Sequence, residues 1–514
     1  MFPQDLSHLL FRKHFFFGPD RFENPEWNFF EMPSGYVLSA HPDLEVTRVE
    51  VNGYNATLLG FMLDPDRIHD SNEQILTRLC ESVRGVDEWI EQTAPLSGRW
   101  IIFLAYQGSY VVFNDPAGLR TIFYHLDGIG KCWLASRSGL IAEKLGFSMS
   151  ELASQFFSSE NFTKRKEGWI PGVASPFDEV KHLLPNHLLD ISQHQVRRYW
   201  PTTAPKTYSL DQGVQLAGDL LKNSLRAAAQ RAPLALSLSS GVDSRMLLAA
   251  GRDLVPEMYI FSLIYRHHTE QSDDIRVPAQ LAGTGSFDHH IIDCRGPVSP
   301  EFAEIYNRHM NGLNYDWSGI VESRRKHIPE NTLVVKGSIS EIVRCRYWSV
   351  GAYPFRVTLN KVVTLMNRGD NPLVVNSLRE WMQEALSTEK TGYKLLDLLS
   401  WECEVGNYLA LGQLINDLAQ EDFCPLNNRQ LLTIMLGVNP RYRSYPDHIL
   451  QRSITRRFWP EMDLFPYTPS RVKPHKTFRD SPVMNGLRWV KYELFEEKSN
   501  RLDEKIVRVS KERS

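Results

Sequence analysis

The stretch from Leu234 to Ser244 constrains the fold more than any other part of this 514-residue chain. It joins an apolar run, 234–238, through a turn of small residues to a helical pattern over 244–250. A second apolar run follows at 258–264. Strands that alternate with helices in this way predict a parallel sheet with right-handed crossover connections.

The turn itself, Ser239-Ser240-Gly241-Val242-Asp243-Ser244, has the composition of a phosphate-binding loop. Small side chains let successive backbone N–H groups point into one concavity at the positive end of the following helix. Asp243 adds a carboxylate that suits Mg²⁺ held against pyrophosphate oxygens. The G-K-[ST] ending of a Walker A loop is absent. The structural alternative is a strand–turn–helix junction that needs only small residues and a helix cap.

The loop resembles the S-G-G-x-D-S signature of PP-loop ATP pyrophosphatases, with Ser240 at the first glycine position. That family cleaves ATP between the α- and β-phosphates and adenylates a carbonyl or carboxylate oxygen. Asp273-Asp274 and the segment 277–283 resemble the part of the family that frames the adenine and sugar. The resemblance implies ATP and Mg²⁺ as cofactors, and a nucleotide-binding set of Leu238, Ser239, Ser240, Gly241, Asp243, Ser244, Leu263, Gly337 and Ser338.

Local patterns elsewhere predict two kinds of structure. Residues 1–150 contain short alternating apolar runs between Gly, Pro and Asn/Asp turns, which predicts a strand-rich region with a hairpin turning at Gln107-Gly108. Residues 160–200 are richer in Pro, Gly and charge and predict an interdomain connector with a small hairpin. A capping-box sequence at Ser209 begins a predicted helix, and 300–490 is mostly helical in pattern.

As a whole, the chain resembles class II asparagine synthetase and its relatives, β-lactam synthetase and the lasso-peptide macrolactam cyclases. The segments that resemble the amidotransferase core are Leu96-x-Gly98, Asp115-x-x-Gly118-x-Arg120, Tyr124, Ser136-Arg137 and Leu140. The resemblance implies an α+β N-terminal Ntn-hydrolase-like β-sandwich domain with its connector (1–200). It also implies an α/β PP-loop synthetase domain with a parallel sheet and a helical C-terminal part (201–490), and a charged tail (491–514).

One departure from the family concerns glutamine hydrolysis. The family's glutaminase needs a cysteine as the first residue after Met removal, because the free α-amine acts as base for the thiol. Here position 2 is Phe2, and no cysteine precedes Cys80. We therefore expect no glutaminase activity, and an amine supplied by the substrate, as in β-lactam synthetase and the lasso cyclases.

A second loop of the family, G-x-G-x-D-E, contacts pyrophosphate, and residues 334–341 resemble it. Glu341 matches the final acid, whereas the metal-binding Asp of the family falls on Ser340. The implied metal ligands are Asp243 and Glu341. If Glu341 does not replace the missing Asp as a ligand, the Mg²⁺ site is weaker. Arg344 and Arg346 follow, placed to neutralise phosphate charge or to pair with Glu341. An ordinary strand-to-helix cap is the alternative.

The resemblance also implies catalytic candidates nearer the C-terminus. Lys473, and after it Lys476, match a lysine that stabilises negative charge on the adenylate and the tetrahedral intermediate. A solvated basic loop is the alternative. Glu402 lies in a segment that resembles the lining of the acceptor pocket, and a solvent-facing helix acid is the alternative there.

Composition excludes several function classes. The formal net charge of −3 argues against a broad nucleic-acid-binding surface. No run of about 18 apolar residues predicts a membrane span. Six scattered cysteines without a C-x-x-C pair fit free thiols in a reducing cytoplasm. We therefore expect a cytoplasmic protein without nucleic-acid or membrane partners, and we leave a homodimer open.

The leading hypothesis is an ATP-dependent, AMP-forming carbon–nitrogen ligase of asparagine synthase-like type. A carboxylate of a small-molecule or peptide substrate attacks the α-phosphorus, and an amine donor then displaces AMP from the acyl-adenylate. One alternative is an asparagine synthetase-type enzyme that uses ammonia. The other is a non-catalytic nucleotide-binding regulatory homologue, which Ser340 favours and the intact Asp243 and Ser244 oppose.

Overall fold

A computed structural model describes residues 6–24, 26–310 and 314–467 of the chain. The strands of the N-terminal part are β1 (Phe15–Gly18), β2 (Asn28–Glu31), β3 (Val37–Ala40), β4 (Val46–Val51), β5 (Tyr54–Leu63), β6 (Ser97–Tyr106), β7 (Ser109–Asn114), β8 (Ile122–Leu126), β9 (Cys132–Ala135), β10 (Glu167–Gly168), β11 (Lys181–Leu183), β12 (His187–Asp190) and β13 (Gln195–Arg198). All of them except β10 belong to two six-stranded antiparallel sheets, of order β11-β8-β9-β1-β3-β2 and β13-β12-β7-β6-β5-β4.

The two antiparallel sheets pack face to face. Their shared core contains Phe15 and Leu134 from the first sheet, and Leu59, Phe103 and Val112 from the second. Alternating apolar residues on each strand supply this inner face. The predicted β-sandwich at the N-terminal end is therefore confirmed at the level of its architecture.

The hairpin between β6 and β7 forms where the sequence predicts it. Tyr106 pairs with Ser109, so the connecting residues are Gln107 and Gly108. Both have positive φ, 47° and 83°, as a two-residue turn that matches the twist of its strands requires. Glycine adopts this backbone conformation without steric cost, which explains its presence at the second position.

The later part of the segment predicted as an interdomain connector, 181–198, belongs to the two sheets of the sandwich. β11 pairs with β8 at the edge of one sheet, and β12 pairs with β7 in the other. The small hairpin is present as β12 and β13, and it extends the second sheet. Leu188 and Leu189 point to opposite faces of β12, and both are fully buried, Leu189 in the core between the two sheets and Leu188 in the core on the other face.

The strands of the C-terminal part are β14 (Leu234–Ser237), β15 (Tyr259–Ile264), β16 (His290–Asp293), β17 (Asn314–Tyr315), β18 (Leu333–Val335) and β19 (Asp422–Phe423). Five of them form a parallel sheet of order β16-β15-β14-β18-β19, and β17 pairs with β10. The predicted parallel sheet is confirmed. Chain order reverses between β14 and β18, and sheets of this kind bind ligands at the carboxyl ends of strands beside such a reversal.

The helices are α1 (Asn72–Ser82), α2 (Val86–Gln92), α3 (Ser138–Leu145), α4 (Glu151–Ser158), α5 (Glu160–Thr163), α6 (Leu210–Ala229), α7 (Val242–Ala250), α8 (Asp273–Gly285), α9 (Pro300–Met310), α10 (Ser318–His327), α11 (Leu359–Met366), α12 (Pro372–Ala385), α13 (Leu395–Leu398), α14 (Ala410–Asn416), α15 (Arg429–Leu436), α16 (Pro440–Arg443) and α17 (Ile449–Phe458). A π-helical segment, Leu399–Leu409, joins α13 to α14. The capping box predicted at Ser209 is present at the start of α6.

A network of buried ion pairs joins the sandwich to the segment before β19. Both carboxylate oxygens of Asp417 accept hydrogen bonds from Arg99, at 2.6 and 2.8 Å. Glu421 accepts from Lys13 with one oxygen and from Arg120 with the other. Burial raises the pKa of Glu421, but Lys13 and Arg120 outweigh it and lower that pKa to about 2. Each acid in this network thus has partners on both oxygens.

Two properties of the described residues bear on the sequence predictions. All six cysteines are buried, and none forms a disulfide. Among the helices of the described ranges, none has both the length and the apolar character that a bilayer span requires.

Candidate nucleotide-binding site

The loop predicted to bind phosphate follows β14 at the carboxyl edge of the parallel sheet and leads into α7. Two of its N–H groups donate to hydroxyl oxygens of the same loop. Ser239 N–H donates to Ser244 Oγ at 3.1 Å, and Gly241 N–H donates to Ser239 Oγ at 3.2 Å. Hydroxyl groups rotate easily, so a phosphate oxygen can replace them as acceptor while the backbone stays in place.

Helix α7 begins without a side-chain cap. Gly241 occupies the N-cap position and has no side chain that could accept from the first N–H groups. By contrast, Ser209 caps α6 by accepting from Gln212 N–H at 3.2 Å. The uncapped start of α7 therefore presents free N–H donors and the positive end of the helix dipole to a bound anion.

Ser240, at the position where the PP-loop signature has glycine, makes a specific contact with α8. Its N–H and its hydroxyl both donate to Asp274 Oδ1, at 3.1 and 2.5 Å. Ser240 is fully buried, whereas Ser239, Gly241 and Asp243 are partly exposed. The departure from glycine thus fixes the loop to the helix that follows β15.

The second predicted loop lies directly against the first. A Cβ atom added at Gly337 would lie 2.7 Å from the Cβ of Asp243 and 3.1 Å from the backbone nitrogen of Ser244. Only glycine permits this approach, which explains Gly337. The loops after β14 and β18 therefore meet where the strand order reverses, and Ser338 is partly exposed beside them.

Asp243 and Glu341, the predicted metal ligands, are brought together by this approach. Arg344 bridges them, with Nη1 3.0 Å from Asp243 Oδ2 and Nη2 2.9 Å from Glu341 Oε1. The second oxygens, Asp243 Oδ1 and Glu341 Oε2, are buried and have no hydrogen-bond partner. Burial raises the pKa of Asp243, Arg344 opposes the rise, and Glu341 adds to it.

A hard divalent cation fits this acid pair. Mg²⁺ prefers carboxylate oxygens, and each acid has one buried oxygen without a partner. No cluster of three or more His, Cys, Asp or Glu side chains that could hold a metal occurs in the part of the chain that the structure describes. A cation here would therefore use Asp243, Glu341 and oxygens of its nucleotide and water, as Mg²⁺ does in phosphoryl sites.

The turn that presents Glu341 is strained. Ile339 has φ 83°, a backbone conformation that β-branched residues rarely adopt, and its side chain is fully buried. Ser340 follows it and is also fully buried. The sequence patterns did not predict this strain, nor the contact of Arg344 with Asp243.

Glu402 has a structural role, and the expectation that it acts in catalysis is not supported. It is fully buried, and Arg198 binds both of its oxygens at 2.5 and 2.8 Å. Asn186 and Trp381 donate to it as well, at 2.8 and 2.7 Å. Burial raises the pKa of Glu402, but the Arg198 ion pair prevails and the pKa is lowered. With these four hydrogen bonds, Glu402 holds the hairpin of β12 and β13 against the π-helical segment.

The remaining candidates are placed as follows. Leu238 is buried, its N–H donates to Phe261 O at 2.8 Å, and its carbonyl accepts from Ser262 Oγ at 2.7 Å. Leu263 lies in β15, opposite Ile292 of β16. Lys473 and Lys476 lie outside the described residues.

Comparison with known proteins gives no family for this chain. No protein-family model matches it, and no curated protein matches it. The matching solved structures include an NH3-dependent NAD synthetase from Campylobacter jejuni, which is 12% identical over 38% of this chain and 93% of that chain, with a TM-score of 0.20. They also include glutamine phosphoribosylpyrophosphate amidotransferase from B. subtilis complexed with ADP and GMP, 11% identical over 63% and 90% of the two chains (TM-score 0.23). A third is a glutamine-dependent NAD⁺ synthetase from Acinetobacter baumannii, 12% identical over 59% and 75% (TM-score 0.20). These likenesses are too weak to carry an argument about this chain.

Proposed function

We propose that this chain is an ATP-dependent ligase that forms an amide bond by adenylating a substrate carboxylate. The proposal depends mainly on one observation: the open start of α7 and the pair Asp243–Glu341 lie side by side where the parallel sheet reverses its strand order. A helix start binds phosphate oxygens, and an acid pair with unpartnered oxygens binds a divalent cation. Together they supply both halves of a magnesium–triphosphate site.

Each residue of the site has a defined part in this proposal. The N–H groups at the start of α7 hold phosphate oxygens, and Asp243 and Glu341 hold Mg²⁺, which neutralises charge on the pyrophosphate group. Arg344 neutralises the two acids while the cation is absent. With a cation on the two acids, the Arg344 guanidinium would be released from them to pair with a phosphate oxygen.

The reaction proceeds in two displacements. A substrate carboxylate oxygen bonds to the α-phosphorus, and the bond from that phosphorus to the bridging α–β oxygen breaks, releasing pyrophosphate. The amine nitrogen then bonds to the acyl carbon, the bond from that carbon to AMP breaks, and the nitrogen loses a proton. The protein contributes orientation and charge stabilisation to both steps.

The proposal extends to the N-terminal sandwich, as an Ntn-hydrolase-like domain that lacks its glutaminase nucleophile. Phe2 in place of the cysteine supports this part of the proposal. In this proposal the amine comes from a small-molecule or peptide substrate. The proposal also includes that the chain is related to asparagine synthetase. Use of free ammonia is the alternative source.

A second candidate function is that of a non-catalytic nucleotide-binding regulator. The Arg344 bridge favours it, because a guanidinium between the two acids competes with a cation for them. Ser340 favours it as well, because it removes the third carboxylate that the resemblance would place beside Asp243.

Exchange of labelled pyrophosphate into ATP tests the proposal. We expect exchange that requires both Mg²⁺ and a carboxylate substrate, and we expect Asp243→Ala to slow it at least about 100-fold, the effect of removing one charge-stabilising group. Asp253→Ala is the matched control, because Asp253 pairs with Arg226 at the surface, away from the loop. Formation of ADP and phosphate would contradict adenylation, and nucleotide binding without exchange would favour the regulator.

A further inference from the structure

We propose a second ligand site, a half-open pocket around the buried Arg137 that binds the carboxylate group of a small molecule. The pocket lies where β8, the start of α3, the segment 170–176 and the end of α9 meet the helical region near residue 407. Its lining includes Phe123, Arg137, Ser138, Gly139, Ile170 and Met310. It shares no residue with the loop 239–244 or with the pair Asp243–Glu341, so it is a separate site.

Arg137 is a buried cation without a counter-ion among the described residues. Its side chain lines the pocket, and the residue is only 3% exposed. Nε and Nη2 are buried and donate to no acceptor. Burial lowers the pKa of Arg137 to about 10, and the opposing effects of Tyr306, Tyr315 and Asp417 do not restore it. A charge buried in this way is unfavourable unless an anion pairs with it.

The surroundings of Arg137 add hydrogen-bond donors, and the carboxylate that acts on it, Asp417, is already paired with Arg99. Arg137 is the N-cap residue of the eight-residue helix α3 and provides no side-chain cap. Leu140 N–H donates to the Arg137 carbonyl, whereas the N–H groups of Ser138 and Gly139, which line the pocket, receive no side-chain acceptor. His14 and His309 are fully buried, with ring centroids 4.6 Å apart. Both lie close enough to Arg137 for its charge to lower their pKa further, after the larger effect of burial.

Size and shape select a carboxylate among anions. The cavity has a volume of about 30 Å³, which is room for about two water oxygens and therefore for the two oxygens of a carboxylate. A planar guanidinium binds a carboxylate through two parallel hydrogen bonds. Phe123, Ile170, Met310 and Leu411 form the apolar part of the lining, which suits a short carbon substituent. A small monocarboxylate therefore matches the pocket.

Titration of the full chain with ¹³C-acetate, followed by ligand-observed NMR, tests this site without any nucleotide. We expect saturable binding, and a rise in melting temperature with acetate over sodium chloride of equal ionic strength. Arg137→Met should weaken acetate binding about ten- to a hundredfold, the effect of losing charge-assisted hydrogen bonds. It should fold at least as stably as the wild type without acetate, because it removes an unpaired buried charge. Arg295→Met, which removes a surface arginine paired with Asp293, should leave acetate binding unchanged.

Arg137→Lys separates charge from shape, and it provides a second variant if Arg137→Met does not fold. It keeps the cation but loses the planar pair of donors, so we expect binding about tenfold weaker than in the wild type. No acetate binding by the wild type at 100 mM (about ten times a 10 mM dissociation constant) would overturn the proposal. Unchanged binding in Arg137→Met or Arg137→Lys would overturn it too. Because neither readout involves ATP, the outcome is independent of the proposed ligase function.

Discussion

Two groups of buried charge in this molecule differ in how completely they are paired. In the network that joins the sandwich to the segment before β19, Asp417 and Glu421 have basic partners on both oxygens. In the pair Asp243–Glu341, one oxygen of each acid is buried without a partner. A fully paired network needs nothing more to be stable, whereas an incompletely paired acid marks a place for a ligand. Under the proposed function, the contrast separates residues that hold the fold from residues that bind the nucleotide and its cation.

Breaking the fully paired network around Asp417 and Glu421 should lower stability more than any other change considered. We expect Arg99→Met to lower the free energy of unfolding by about 3–5 kcal/mol, because Asp417 would remain as an unpaired buried charge. Urea unfolding measures this loss. The double variant Arg99→Met/Asp417→Leu should recover most of it, since it removes both charges. A loss below about 1 kcal/mol in the single variant would show that the network does not hold the two parts together.

The contrast between paired and unpaired acids can also be tested at Glu402. The family resemblance implies that Glu402 is catalytic, whereas the structure shows it buried and paired with Arg198. We expect Glu402→Gln to lower the free energy of unfolding by about 2–3 kcal/mol, because Arg198 loses its charged partner. Pyrophosphate exchange per folded molecule should stay within about twofold of the wild type. A fall in exchange by about 100-fold with unchanged stability would restore Glu402 to catalysis.

Removing a charge from the incompletely paired acids, Asp243 and Glu341, should change stability less, and it should raise the free energy of unfolding. The folded pKa of Asp243 is raised above its ordinary value of 3.8, so its ionised form destabilises the fold. This penalty is absent below pH 3.8, grows as pH rises from 3.8 to the folded pKa, and is complete above the folded pKa. We expect Asp243→Asn to be slightly more stable than the wild type at pH 7 without Mg²⁺, and the difference to vanish in acid. Thermal unfolding across pH checks this, and a variant less stable at pH 7 would contradict the sign.

Sequence patterns predicted those features that neighbouring residues determine. The small-residue loop 239–244, the hairpin at Gln107-Gly108, the capping box at Ser209 and the parallel sheet all follow from local composition and period. The approach of Gly337 to Asp243 could be anticipated only through a family resemblance, because the two residues lie far apart in the chain.

Features that depend on distant packing were not predictable. Glu402 is buried because Arg198, some 200 positions earlier, reaches it from the hairpin of β12 and β13. The same hairpin has the composition of a linker, yet its backbone completes a sheet. Arg344 was expected near Glu341, but its bond to Asp243 requires that the loops after β14 and β18 meet. Burial and pairing of this kind arise from tertiary contacts.

Calorimetric titration with ATP, with and without Mg²⁺, tests most directly whether Asp243 and Glu341 bind the Mg²⁺ of a magnesium–nucleotide complex. We expect the wild type to bind ATP at least about tenfold more tightly when Mg²⁺ is present, a difference of about 1.4 kcal/mol. Asp243→Ala should lose this dependence on Mg²⁺ while it keeps its folded structure. Equal ATP affinity in the two conditions, or the same gain from Mg²⁺ in Asp243→Ala, would contradict the assignment of Asp243 and Glu341.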